Sequence, residues 1–331
     1  MNSARALAPA KVNLGLFLGP TRAHDGRHEL VSVMQSISLA DQLTLEPAGA
    51  GADGDAGADE VICPGLSLAP GENLAARALS AFRAGTGWQA PPLRLSIAKH
   101  IPVAGGLGGG SADAAGALRL ARLLSGLGDE ALLLELAAGL GADVPAQVSP
   151  GRWLAQGAGE RLAPLPGSGP GADSGPDPGS DRGPAFGVLV LPVAAALSTA
   201  AVYAEADRLG LAGTARELED HRRALEGAWK GPAGALAHAL AGFDSEPAEL
   251  LHNDLQAAAL SLCPQISAAL AEARAAGAAQ AFVSGSGPTV VGLFAAGEEP
   301  DAAALAGREP AAVWARPVDG AFGAATLLAG E

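Results

Sequence analysis

Hydrophobic and polar positions alternate from the start of the chain. In "ALAPAKVNLGLFLG", Val12, Leu14, Leu16 and Leu18 fall on one side and Lys11, Asn13, Gly15 and Phe17 on the other, which is the period of a strand. The same reading predicts strands over 28–39 ("HELVSVMQSISL"), 41–47 ("DQLTLEP") and 92–102, the last stopped by Pro102. A helical period appears over 71–85 and again at about 111–125, 129–139 and 143–148. The second half reads as a strand over 187–193, then helices at about 199–209, 214–228, 233–241, 247–261 and 264–276. Strands over 280–284 and 289–295 follow, then one helix and two closing strands. Strands and helices are mixed without strict alternation, so the pattern predicts an α+β fold.

Two stretches interrupt these elements. "AGAGADGDAGADE" (48–60) reads as a flexible acidic loop. The segment 164–184 is built mainly from Pro, Gly, Ser and Asp and has too little apolar surface to order itself, so it reads as a flexible insertion. It divides the chain into an N-terminal domain, 1–163, and a C-terminal domain, 185–331. No charge occurs between Arg182 and Glu205, a run long enough to raise the question of a membrane span. Pro192 splits it and Ser198-Thr199 starts a helix, so a buried strand followed by a helix is expected instead.

Composition narrows the function. Of 331 residues, 49% are hydrophobic, enough for a substantial core, and the formal net charge is −14. An acidic chain with no basic run does not offer the clustered Lys and Arg that a nucleic-acid surface needs. The two cysteines, Cys63 and Cys263, lie far apart and form neither a disulfide framework nor a zinc motif. The first residues hold no long apolar stretch of the signal-peptide kind. A cytoplasmic protein with a small-molecule partner, and with no nucleic acid, membrane or bound metal site of its own, is the expectation.

The chemistry concentrates in "IPVAGGLGGGSADAAGAL" (101–118). A Walker A loop needs a lysine before its serine, and none precedes Ser111. The dinucleotide fingerprint also fails: counted from Gly106 its sixth position is Ser111, and counted from Gly108 it is Asp113. The failed fingerprint argues against a dinucleotide-dependent oxidoreductase. What remains is a backbone able to approach an anion closely, followed by a helix whose N-terminus favours phosphate, with Ser111 as the expected N-cap. There are only three lysines, Lys11, Lys99 and Lys230, against eighteen arginines. Lys11 on an apolar strand therefore stands out as a compact point charge. Asp143, in "GADVPA", reads either as the cap of a short helix or as a carboxylate able to accept a hydroxyl proton. "SGSGPTV" (284–290) reads as a hairpin between two strands.

Taken in order, "PAKVNL", "GLGGGSADAA" and "SGSGPT" resemble the three motifs of the GHMP kinases, the galactose, homoserine, mevalonate and phosphomevalonate kinase superfamily. "DGRHEL", "GADVP" and "HNDL" (252–255) are most similar to the branch whose acceptor is a cytidylylated methylerythritol of the non-mevalonate isoprenoid route. The resemblance implies two domains, the first like ribosomal protein S5 domain 2 and the second ferredoxin-like, with the site in the cleft. It implies ATP and Mg²⁺, with Lys11 and Asp143 as the catalytic pair. Pro102, Val103, Ala104, Gly105, Gly106, Leu107, Gly108, Gly109, Gly110, Ser111 and Ala112 would wrap the ATP phosphates, and Asn73 and Lys99 would lie near the adenine. Asn13, Arg27, His28, Thr199 and Tyr203 would face the substrate, His28 bonding the cytosine and Tyr203 stacking on it. Two positions depart from the family pattern. Arg27 stands where a tyrosine is usual, and an arginine plane can also stack on a base. Ala112 stands where a second serine is usual. A homoserine- or mevalonate-type kinase and an inactive nucleotide-binding module are the competing readings.

Overall fold

The computed structural model describes residues 2–48, 58–66, 71–165, 186–230 and 249–328. Nearly all of the insertion expected over 164–184, the helix expected over 233–241 and most of the 48–60 loop lie outside the described residues.

Two long strands form the frame. β1 (Ala4–Thr21) and β2 (His28–Pro47) pair antiparallel, with register shifts at Pro9/Lys11, Asn13/Gly15 and Leu18/Thr21. Such bulges twist a strand and re-aim its side chains, and two of them flank Lys11 and Asn13. The sequence pattern predicts a break between 39 and 41, yet β2 runs through it. Asp41 is fully buried there, and its carboxylate accepts from the backbone N–H groups of His100 (2.6 Å) and Ile101 (2.8 Å). A polar residue inside the strand is thus satisfied by the loop beside it.

The outer edge of β2 is divided. Its first half pairs with β5 (Arg152–Gly157), which pairs with β6 (Arg161–Pro164), and its second half pairs with β4 (Leu93–Ala98). A short β3 (Glu60–Ile62) lies parallel to β4. The pattern reading missed β3, β5 and β6. The β5 sequence "RWLAQG" has weak strand propensity, and its conformation comes from the register that β2 offers. Four helices cover this sheet: α1 (Leu74–Thr86), α2 (Gly109–Ser125), α3 (Glu130–Leu140) and α4 (Val144–Val148). α2 lies against β1 and β2, and its buried face of Ala112, Ala114, Ala115, Ala117 and Ala121 lets the helix sit close to the sheet.

A second sheet contains β7 (Phe186–Leu191), β8 (Gln280–Val283), β9 (Val290–Ala295) and β10 (Val313–Ala315), in the order β10-β7-β9-β8 and antiparallel throughout. In chain order that is fourth, first, third, second, the ferredoxin-like order the resemblance implies. α5 (Thr199–Leu209), α7 (Gln256–Leu262) and α8 (Ile266–Ala275) share a core with it around Leu189, Leu191, Val290 and Phe294. α6 (Ala215–Lys230) packs instead on β1 and β2. The helix expected after residue 295 is a run of turns over 302–307, bonded three residues back and stopped by Gly307 at φ 74°. The helix expected over 247–261 begins only at Gln256, because residues 252–254 extend to meet β1.

That meeting joins the two sheets. The outer edge of β1 is covered by pieces from distant parts of the chain. β11 (Thr326–Leu327) pairs with Ala4 and Arg5, the Leu107 carbonyl accepts from Lys11 N–H (2.9 Å), and Gly213 donates to the Leu18 carbonyl (2.9 Å). Leu16 exchanges backbone bonds with His252 (2.8 Å) and Asp254 (3.0 Å). Between these two, Asn253 is buried, and its amide donates to the carbonyls of Val283 (2.6 Å) and Gly285 (2.8 Å) while its oxygen accepts from Leu255 N–H (2.9 Å). The side chain therefore ties the β8–β9 turn to the start of α7, while the backbone on either side of it holds β1.

Replacing Asn253 with Ala strands two carbonyls and one N–H away from water. An unsatisfied buried group costs about 1–3 kcal/mol. The expected loss is about 2–4 kcal/mol of unfolding free energy, read as a lower midpoint in urea.

Candidate active site

Burial of the Lys11 ammonium organises the site. The residue is 6% exposed on β1, where an unpaired charge is costly. Its Nζ donates to Asn13 Oδ1 (2.7 Å). The Asn13 amide donates to Ser32 Oγ (2.8 Å) on β2, and that hydroxyl donates to the Gly15 carbonyl (2.7 Å). This relay fixes Asn13 with its oxygen toward the lysine. Lys11 Nζ is also 3.6 Å from Asp143 Oδ2.

Asp143 occupies the N-cap position of α4, but its side chain makes no capping hydrogen bond. Pro145 relieves the helix start of one N–H that would need a partner. The carboxylate, 36% exposed, is left facing Lys11. Asp143 holds the cap position read from the sequence without making a capping bond.

The glycine loop lies directly over Lys11. α2 begins at Gly109 with Gly108 as its N-cap, at φ 69° and with no side-chain cap. Ser111, expected at the cap, sits instead in the first turn and is half-buried. The uncapped turn presents free backbone N–H groups and the positive end of the helix dipole to the cleft. A Cβ on Gly108 would lie 3.0 Å from Lys11 Cγ, so only glycine lets the lysine stem pass beneath the loop. Gly106, at φ 74°, meets the other glycine turn: a Cβ there would run into the Ser284 carbonyl and lie 3.0 Å from Gly287 N. The Ser284–Thr289 turn joins β8 to β9 as expected. Part of the glycine requirement therefore comes from two backbones packing together. Thr289 Oγ1 is buried without a partner and would lie 2.8 Å from a Cβ on Gly105.

The remaining expected residues divide. Thr199 Oγ1 meets Ser286 Oγ (3.0 Å), which brings the start of α5 to the same turn. The ring of Tyr203 lies 5.8 Å from that of His28, tilted by 33°. Burial, with help from the charge of Asp143, pushes the Tyr203 phenol up to about 12. Arg27 is held by Asp25 through its Nε (2.9 Å), with its side chain 57% exposed. Asn73 caps α1, its oxygen accepting from Ala75 N–H (2.9 Å). Pro102, Val103, Ala104 and Leu107 lie in the loop, with Ala104 at φ 56°, and Gly110 and Ala112 lie in the first turns of α2.

Lys99 sits at the end of β4 beneath the N-terminus of α2, bonded to Asp41 and to Asp113 Oδ2 (2.7 Å). Burial pushes Asp113 up to about 7 despite the lysine, while the two carboxylates hold Lys99 above its usual value against the burial that opposes them. At Asp113 burial outweighs the attraction of the lysine, while Asp41 accepts from three N–H donors, those of Lys99, His100 and Ile101. Sequence reasoning missed Asp41 and Ser32, whose partners are distant in the chain, and gave no role to Asn253 within "HNDL". It also missed Gln147, one helical turn beyond Asp143, which is 1% exposed with both amide atoms unpartnered. Among the described residues, no three His, Cys, Asp or Glu side chains cluster as a metal site, and no helix is long and apolar enough to cross a membrane.

With this geometry in view, similarity to known proteins is informative. Residues 73–151 match the GHMP kinases N terminal domain and residues 235–315 the GHMP kinases C terminal model. The chain is 43% identical to 4-diphosphocytidyl-2-C-methyl-D-erythritol kinase of Streptomyces coelicolor, over 98% of this chain and 97% of that protein. It is 40% identical to the protein of the same name from Salinispora tropica, over 88% and 83%. A crystal structure of 4-(cytidine 5'-diphospho)-2C-methyl-D-erythritol kinase superposes with TM-score 0.68 at 30% identity, covering 95% of this chain and 99% of that one. A homoserine kinase from Cytophaga hutchinsonii superposes with TM-score 0.69 at 15% identity, over 99% and 98%, a likeness of fold alone.

The Lys99 cluster predicts a pH signature. Asp113 takes its proton near pH 4 when unfolded and near 7 when folded, so its contribution to stability falls across that window and is constant above it. The melting temperature of Asp113→Asn minus that of the wild type should widen from about pH 4 to about pH 7 and then level. A difference independent of pH would place the proton elsewhere.

Proposed function

The chain belongs to the GHMP kinase family, and from that premise we propose that it transfers the γ-phosphoryl group of ATP to the 2-hydroxyl of 4-diphosphocytidyl-2-C-methyl-D-erythritol. The observation that carries this reading is the Lys11–Asp143 pair, 3.6 Å apart beneath an uncapped helix N-terminus. Relatives of that name that match nearly the whole chain supply the acceptor.

Transfer of a phosphoryl group asks a protein mainly for positioning and charge. Asp143 accepts the proton of the attacking hydroxyl. The hydroxyl oxygen bonds to the γ-phosphorus as the bond to the bridging oxygen breaks, and ADP leaves. Lys11 draws the acceptor oxygen and the Asp143 carboxylate together, and Asn13 and Ser32 hold the lysine in place. First-turn N–H groups of α2 and the Ser111 hydroxyl receive the phosphates. The Ser111 hydroxyl, in the first turn of α2, would be an oxygen donor for Mg²⁺, which keeps several waters and binds few protein groups beside a nucleotide. When bound, the ion neutralises phosphate charge. Tyr203, His28 and Thr199 form the acceptor side, Asn73 and Lys99 the adenine side. An N-terminal domain, 1–163, would carry the first sheet apart from β11, and a C-terminal domain, 185–331, the second sheet, with the reaction between them. A reaction on two water-soluble nucleotides accords with a cytoplasmic enzyme of isoprenoid precursor synthesis.

The test is ADP release with Mg²⁺, ATP and the cytidylylated methylerythritol, against mevalonate and homoserine as acceptors. Turnover is expected with the first alone. Asp143→Asn should lower kcat by roughly 10²- to 10⁴-fold, the usual range for losing a general base, while KM for ATP changes little. Undiminished turnover in that variant would remove Asp143 from the mechanism.

A further inference from the structure

Both nitrogens of His28 are already committed. The residue is 6% exposed at the start of β2. Its Nδ1 lies 2.9 Å from the Gly19 carbonyl, which can only accept, so Nδ1 donates there. Its Nε2 lies 2.8 Å from Asp207 Oδ1, a second acceptor, so the ring bridges the two oxygens with a proton on each nitrogen. The imidazole has no third hydrogen-bonding atom to offer a ligand. It instead clamps one oxygen of Asp207, whose side chain is 59% exposed. The other oxygen, Asp207 Oδ2, has no partner among the described residues.

Asp207 lies one helical turn beyond Tyr203 on α5, so the two side chains share a face. Tyr203 is packed beside His28 on one side and lies within electrostatic reach of Asp143 on the other. Leading away from Asp143, the contacts therefore run first to an aromatic ring and then to a carboxylate held by His28. This combination suits a flat heterocycle that carries an exocyclic amine.

We infer that Asp207 is the residue that selects cytosine over uracil, its free oxygen accepting from the exocyclic N4 amine, with His28 as the positioning residue that aims it. The inference rests on the functional reading above and deepens it at the base. Cytosine presents an N–H donor where uracil presents the O4 acceptor. A carboxylate attracts the first and repels the second, so one side chain supplies both the favourable contact and the penalty against the competitor. His28 contributes by holding Oδ1, which leaves Asp207 one accepting direction instead of a rotating pair.

The experiment compares kcat/KM for the cytidylylated and the uridylylated methylerythritol diphosphates in the wild type and in Asp207→Asn. Asparagine has nearly the same shape, lacks the charge, and can turn its NH₂ toward O4. The wild type should favour the cytidine substrate by roughly 10- to 100-fold or more. In Asp207→Asn that ratio should collapse to within a few-fold. KM for the cytidine substrate should rise, KM for ATP should stay unchanged, and turnover of the uridine substrate should increase. A gain on the uridine substrate cannot come from structural damage. His28→Gln, which leaves the carboxylate free to rotate, should narrow the ratio to an intermediate value. Equal discrimination in wild type and Asp207→Asn overturns this inference and leaves the kinase reading standing. A wild type that phosphorylates neither substrate overturns both.

Discussion

A lysine ammonium is held inside a β-sheet, and much of the surrounding architecture follows from that. Burying Lys11 without partners would cost several kcal/mol. Asn13, Ser32 and the Gly15 carbonyl form a chain of hydrogen bonds that orients one acceptor toward it. Two register shifts on β1 bring Lys11 and Asn13 to the same spot. Asp143 is left out of its own helix cap so that its carboxylate can face the ammonium. A site that must stabilise charge on a transferring phosphoryl group is assembled by satisfying a charge already present, which is the sense in which it is preorganised.

The two glycine-rich turns serve this arrangement differently. Gly108 makes room for the lysine stem, while Gly106 lets the phosphate loop rest on the backbone of the Ser284–Thr289 turn. The loop's shape is thus supported from the second sheet, and Asn253 supports that turn in its place. Beneath the loop, the Asp41–Lys99–Asp113 cluster ties β2, the end of β4 and the phosphate helix together. The glycine-loop backbone is consequently held from both sheets and from below, with little left to the loop's own residues.

What the sequence made legible was whatever depends on local order. Strand alternation placed Lys11 and Asn13 on one face, the motif spacing singled out the glycine loop, and "GADVP" marked Asp143. The α+β class and the hairpin at 284–289 could be read in the same way. Less legible were features whose partners are remote. Asp41 looked like a strand break because its N–H donors at 100 and 101 are nearly sixty positions away. β5 is a strand because β2 lends it a register, and its own residues hardly favour one. Ser111 appeared to cap α2 because the left-handed conformation of Gly108, which begins the helix earlier, leaves no pattern in an already glycine-rich run. His28 could be singled out by its motif, yet that motif says nothing of Asp207, 179 residues later, which occupies its ring.

The way β1 is completed bears on how the chain is made. Its inner edge pairs with β2, the next strand out of the ribosome, but its outer edge waits for Leu107, Gly213, residues 252–254 and finally Thr326–Leu327. Among the described strands, the first in the chain is the last to be finished. Until the closing residues emerge, the nascent protein carries an unpaired strand edge, the kind of surface that invites pairing with other chains. Buried contacts this distant in sequence also make for slow folding. During synthesis the same strand that carries the chemistry is therefore the one most in need of a chaperone.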